Sequence, residues 1–156
     1  MSLACCLSGA ANAGNSLRVG DKAPNWILAT SNGETISFYQ NSVGKKSVIL
    51  FWATWCPYCA EIMPKLEALQ EELNDSSVQF YALNIWEDGD ALAAIRERTQ
   101  SFTFLLKADM VAKRYNVQST PGVYVVGDDR TIQYVREKNT SVEQTYLEIK
   151  QLLESK

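Results

Sequence analysis

Apolar and polar positions follow two periods along this chain, and the change from one to the other marks out its elements. Trp26 to Thr30 and Glu34 to Phe38 are short alternating segments around Ser31-Asn32-Gly33, whose Asn-Gly pair signals a hairpin turn. Ser47 to Ala53, SVILFWA, is a continuous apolar run of strand length, the pattern of a strand buried on both faces. Ile62, Leu66, Leu69 and Leu73 then recur at helical spacing, the stripe of a helix packed on a core. The patterns that follow predict a strand over Val78 to Ile85, a helix from about Asp90 to Thr99, a strand over Thr103 to Leu106 and a short helix around Met110 to Tyr115. Gly122 to Val126 and Thr131 to Val135 flank Gly127-Asp128-Asp129-Arg130 as a hairpin, hence an antiparallel edge. Thr140-x-x-Glu143 reads as a capping box opening a last helix, with Val142, Tyr146, Ile149 and Leu153 as its stripe. Strands that alternate with helices predict an α/β fold: a central mixed β-sheet flanked by helices, preceded by an N-terminal β-hairpin.

Length and charge narrow the setting. The 156 residues, 46% of them apolar, suffice for one core, so residues 17–156 are read as a single domain behind a tail of residues 1–16. A net charge of −3 without any Lys/Arg-rich cluster removes the footprint that nucleic acid or an anionic membrane surface requires. No apolar stretch reaches the length of a membrane span. The N-terminal MSLACCLSGAANAGNSL contains Ala11-Asn12-Ala13, the small-residue form of a secretory cleavage site, and is expected to be the residue of an export signal. A second reading makes Leu3-Ala4-Cys5 a lipoprotein remnant with Cys5 lipid-bearing; a third leaves Cys5 and Cys6 as incidental thiols of a flexible tail.

The chain has no histidine. Proton transfer therefore falls to a carboxylate, lysine, thiol or water, and the commonest metal ligand is missing. Cys56 and Cys59, in FWATWCPYCAEIMP, directly follow the apolar strand. A metal site would need further cysteines, and Cys5 and Cys6 lie adjacent near the terminus instead of at Cys-x-x-Cys spacing. A structural staple closing so short a loop constrains little of the unfolded chain. Stepping back three from Ile62 lands on Cys59, so Cys59 is expected on the buried stripe and Cys56 at the helix mouth, with Pro57 at the first helical position. The positive end of the helix favours a thiolate at Cys56, whereas an ordinary thiol of pKa ~8.5 is mostly protonated at neutral pH. The pattern thus favours a redox pair: Cys56 attacks a substrate disulfide and Cys59 resolves the mixed disulfide.

FWATWCxxC as strand, loop and helix, a proline within that helix (Pro64), and Thr120-Pro121 before a hairpin together resemble the thioredoxin superfamily. More narrowly, VGDKAPNWIL, NGETISF and GKKSVILFWATWC are similar to the TlpA/ResA group of extracytoplasmic thiol-disulfide oxidoreductases, and the resemblance runs from about Val19 to Val135. It implies a thioredoxin fold, Cys56 as nucleophile, Cys59 as resolving thiol and Pro121 as a cis-proline beside them. By the same resemblance the Thr120 backbone pairs with an extended substrate segment and Trp55 shapes the groove, with Pro57 and Tyr58 completing the substrate-binding set. The group is periplasmic or membrane-anchored and takes electrons from a membrane-bound thiol reductase. Protein disulfides are then the expected substrates, on a cytochrome c precursor, a copper-site assembly factor or a general pool, and no cofactor or metal is expected beyond the Cys56–Cys59 disulfide.

The chain departs from the group at several positions. Ile62 stands where many members carry a glutamate, Leu50 where thioredoxins carry a buried aspartate, and Glu61 is expected to be a solvated charge pairing with Lys65. Water or a carboxylate from Glu87-Asp88 is left to deprotonate Cys59. Cys-Pro-Tyr-Cys also resembles glutaredoxins, but the hairpin, Trp55 and the missing double glycine do not. A peroxiredoxin shares the GDKAP-type start yet carries its reactive cysteine in another motif. The Thr120 hydroxyl can stabilise a thiolate, so the direction of electron flow stays open between a reductase and an oxidase or isomerase. A non-catalytic metal-delivery module using the cysteine pair is the alternative from another class. Trp26, Trp52 and Trp86 are read as core residues.

Overall fold

A computed structural model describes residues 16–98 and 101–155. Cys5, Cys6, the Ala11-Asn12-Ala13 site and Thr99 lie outside the described residues. The apolar run becomes the central strand β3 (Lys46–Trp52), because each of its pleated faces meets a core of its own. Val48, Leu50 and Trp52 join one cluster; Ile49 and Phe51 join the other. The other elements, in chain order, are β1 (Ile27–Ala29), β2 (Thr35–Ser37), α1 (Phe38–Asn41), α2 (Pro57–Leu73), β4 (Val78–Asn84), α3 (Ala91–Arg96), β5 (Thr103–Leu105), α4 (Asp109–Arg114), β6 (Gly122–Val126), β7 (Ile132–Val135) and α5 (Val142–Glu154).

The five-stranded sheet runs β5-β4-β3-β6-β7, with β5 and β4 parallel to their inner neighbours and β6 and β7 antiparallel. The first core lies under α2, α3 and α5. The second lies under α4, α1 and the N-terminal segment, where Trp26 stacks on Phe38 with centroids 5.2 Å apart and meets Tyr81 edge-on at 5.3 Å. The β1–β2 hairpin forms a separate two-stranded sheet closed by the three residues Ser31-Asn32-Gly33, with Thr30 bonded to Glu34 and Gly33 at φ of +90°.

The N-terminal segment runs from one sheet margin to the other. Gly20, Asp21 and Ala23 exchange main-chain hydrogen bonds with Arg130 and Ile132 beside β7, while Ser31 and Ala29 bond to Phe104 and Leu106 beside β5. Tyr39 and Tyr115 fasten it between, donating to the carbonyls of Ala23 (2.7 Å) and Pro24 (2.6 Å).

Local expectations are corrected in three places. The cap of α5 is Ser141, whose hydroxyl accepts from the Gln144 N–H at 3.1 Å, and not Thr140, whose carbonyl is taken by Arg136. Lys65 turns from Glu61 to Glu143 on α5 at 2.8 Å, leaving Glu61 exposed to solvent. Trp86 is 38% exposed, because β4 ends at Asn84 and the chain turns at Trp86 with φ of +49°. Trp26 and Trp52 are core residues, as read from the pattern.

Candidate active site

The C-terminal end of β3 delivers the chain to Cys56, which caps α2 with extended dihedrals while Pro57 occupies the first helical position. A Pro there gives up no hydrogen bond. Cys56 and Cys59 form a disulfide with Cα atoms 5.2 Å apart, and the Cys56 Sγ accepts the Cys59 N–H at 3.2 Å. In the reduced state that donor and the positive end of a 17-residue helix both favour charge on Cys56. The expected difference in burial between the two cysteines is not found: Cys56 is 3% exposed and Cys59 1%. Cys56 joins the core cluster with Trp52, Cys59 and Ile62, so the capping position brings it to the mouth of the helix without bringing it to the surface. What is exposed surrounds it: Trp55 at 47%, Tyr58 at 60%, and Pro57.

Thr120 and Pro121 come to the same end of the sheet. Phe51 pairs with Gly122, so the residues just before β6 lie alongside the loop just after β3. The Thr120–Pro121 peptide is cis, with Pro121 buried and Thr120 partly exposed. Tyr58 and Thr120 line one cavity of about 540 Å³ with residues of the β7–α5 turn. Sequence reasoning thus picked out residues that the fold brings together at one end of the sheet.

The loop before Cys56 is clamped from the neighbouring β4–α3 connection. Glu87 accepts from the Thr54 N–H (3.1 Å) and the Thr54 hydroxyl, from Asn84 (2.6 Å) and from the Gly89 N–H (3.0 Å). Trp55 donates its indole N–H to the Trp86 carbonyl at 2.8 Å, and Trp86 is held in turn by Asp109 at 2.9 Å. Gly89 is required by this closeness, since a Cβ there would sit 2.9 Å from the Thr54 hydroxyl oxygen. The carboxylate thus serves as a strut whose acceptor sites are taken. Burial pushes its pKa up, but the hydrogen bonds from Thr54, Asn84 and Gly89 outweigh burial and hold it below the ordinary carboxylate value.

A pH dependence follows. A carboxyl whose pKa is depressed in the folded protein adds stability above its unfolded pKa, and that contribution disappears as pH falls through the lower, folded value. Glu87→Gln should therefore flatten the acid limb of the stability curve, read by urea unfolding from neutral pH to below the ordinary carboxylate range. Parallel curves for the two proteins would contradict the strut. The effect is modest, because Glu87 keeps contact with water.

Arg136 was not singled out from the sequence. It is half-buried, and its guanidinium donates to the Thr145 hydroxyl (3.1 Å), the Pro121 carbonyl (3.2 Å) and the Thr140 carbonyl (2.5 Å), tying the cis-peptide segment to α5. Burial lowers its pKa, against Tyr134 and Tyr58, which raise it. The signal was a step of two from Tyr134, which places Arg136 on the α5 side of the sheet.

The sequence matches the AhpC/TSA family over residues 19–135. It is 34% identical over 121 residues to the thioredoxin-like protein YneN of Bacillus subtilis, covering 75% of this chain and 70% of that one. It is 25% identical over 127 residues to the thiol-disulfide oxidoreductase ResA of Bacillus thuringiensis, covering 80% and 73%. Among solved structures, the thioredoxin domain of a thiol-disulfide oxidoreductase from Bacteroides vulgatus superposes with a TM-score of 0.74 at 21% identity, over 88% of this chain and 99% of that one. StoA of Bacillus subtilis superposes with a TM-score of 0.61 at 20% identity, over 80% and 96%. These likenesses establish the thioredoxin-like fold.

Proposed function

This chain belongs to the AhpC/TSA family and is a thiol-disulfide oxidoreductase, and from that premise we propose that it works outside the cytoplasm as a reductant of protein disulfides. The observation that carries the exchange chemistry is the Cys56 Sγ at the cap of α2, accepting the Cys59 N–H, in a pair able to close as a disulfide; the reducing direction and the location are taken from the likeness to ResA.

In the reduced enzyme the Cys56 thiolate attacks one sulfur of a substrate disulfide, forming a Cys56–substrate disulfide and releasing the other substrate sulfur as a thiolate. Cys59 gives up its proton to the substrate thiolate just released, through water, and its sulfur then attacks the Cys56 Sγ. The Cys56–Cys59 bond closes, the second substrate thiolate leaves, and two electrons have passed to the substrate. Trp55, Pro57 and Tyr58 offer exposed contact surface around the buried sulfurs. Thr120 and Pro121 supply the edge along which an extended substrate segment lies. No cofactor takes part beyond the disulfide. A membrane-bound thiol reductase restores the dithiol, in keeping with the TlpA/ResA group that the sequence resembles and with the small-residue site at Ala11-Asn12-Ala13.

The direction is tested by the reduction potential of the pair, from equilibration with glutathione or dithiothreitol mixtures read by tryptophan fluorescence. A reductant is expected near the thioredoxin value of about −270 mV. A potential near −120 mV, the value of a strong oxidant, would replace this reading with an oxidase or isomerase.

A further inference from the structure

The cavity beside Tyr58 and Thr120 has a charge pattern that the exchange reaction itself does not use. Arg136 and Lys138 line it. Of its two carboxylates, Glu143 is engaged by Lys65 at 2.8 Å, which leaves Glu61, exposed to water and screened by it. Among the described residues no carboxylate lies within ion-pair distance of Arg136. Its three hydrogen bonds go to a hydroxyl and two carbonyls, so among the described residues two of its five N–H donors have no partner. A cation held partly out of water without a counter-charge carries an unrelieved desolvation cost, and an anionic ligand relieves it. The cavity also takes in Ser141 and Val142 at the start of α5, whose dipole adds positive potential.

We infer that this cavity is a specificity subsite for an acidic side chain of the substrate segment, with Arg136 and Lys138 binding its carboxylate. The inference rests on the reading of the protein as a protein-disulfide reductase. Tyr58 lies between the two cysteines in sequence and Thr120 directly precedes Pro121, so a segment that brings its sulfur to Cys56 passes the mouth of this cavity. A planar guanidinium with free N–H groups suits a carboxylate, and Lys138 adds a flexible second charge at the rim. The preferred substrate is then a disulfide flanked closely by Asp or Glu.

The test compares disulfide-bonded peptides that differ at one position, with a single Glu or Gln placed in turn at each of three residues on either side of the reacting cysteine. At one position the Glu peptide should exceed its Gln counterpart about tenfold in kcat/KM, equivalent to ~1.4 kcal/mol. That preference should fall with added salt and collapse in Arg136→Gln. Because Arg136 also holds the Pro121 and Thr140 carbonyls, the readout is the Glu/Gln ratio on one preparation, which a general loss of activity leaves untouched. Lys138→Gln, an exposed residue without that bracing role, should lower the ratio as well and carries the test if Arg136→Gln does not fold. No position with a ratio above about two, or a parent ratio kept in the folded variants, would overturn the subsite. Failure to turn over any peptide, neutral or acidic, would instead sink the reductase reading and the subsite with it.

Discussion

Cys56→Ser should lose thiol-disulfide exchange by at least roughly a thousandfold, whereas Cys59→Ser should accumulate a covalent complex with substrate. The two outcomes differ because the fold assigns the sulfurs different neighbours. Cys56 caps α2, where its Sγ already accepts an N–H and faces the positive end of the helix. Cys59 is the third helical residue, on the stripe with Ile62, Met63 and Leu66, and among the described residues its sulfur accepts no hydrogen bond. A serine at position 56 offers an alkoxide only at prohibitive cost and forms no bond to sulfur. A serine at 59 leaves the first step intact and removes the second, so the mixed disulfide persists. Intact-mass spectrometry under non-reducing conditions reads both: no adduct for the first variant, and the enzyme plus one substrate chain, released by dithiothreitol, for the second. Exchange activity surviving in Cys56→Ser would refute the assignment.

Trp26→Ala should cost about 4 kcal/mol of folding stability and lower the melting temperature by roughly 12 °C. Trp26 is 1% exposed and is the aromatic centre by which the N-terminal segment grips the sheet, stacked on Phe38 and edge-on to Tyr81. Its carbonyl accepts from the Phe38 N–H at 2.9 Å, so the main chain is fixed on both sides of the void that an alanine would leave. The neighbours therefore have little room to collapse into it. Urea unfolding read by circular dichroism measures the loss; a change under about 1 kcal/mol would mean that the segment contributes little to the cooperative unit.

Much of this was legible in the sequence because it was local. The apolar run of β3, the stripe of α2 and Pro57 at its first turn depend on residues within a few positions of one another, and they place both cysteines at the start of one helix. What escaped depended on which distant group arrives. Thr140…Glu143 and Ser141…Gln144 are both capping frames, and the second is used while Arg136, arriving from β7, takes the Thr140 carbonyl. Lys65 had a partner one turn away in Glu61, yet Glu143 on another helix meets it at 2.8 Å. Trp86 looked like core by its chemistry, but the strand stops two residues earlier and the turn at Trp86 leaves it 38% exposed. The Glu87 strut and the Arg136 brace were invisible for the same reason: each joins segments more than thirty residues or a whole element apart.

The segment that crosses from β7 to β5 has a colloidal consequence. Any open sheet offers two rows of unpaired amides and carbonyls to a neighbouring molecule, and natural proteins cover or blunt them. Here one stretch of chain occupies both margins, bonding at Gly20–Ala23 on one side and at Ala29–Ser31 on the other. A protein whose active-site end exposes Trp55 and Tyr58 can therefore meet other chains through that end while the N-terminal segment covers part of each outer strand, beside Ile132 on one and Phe104 on the other.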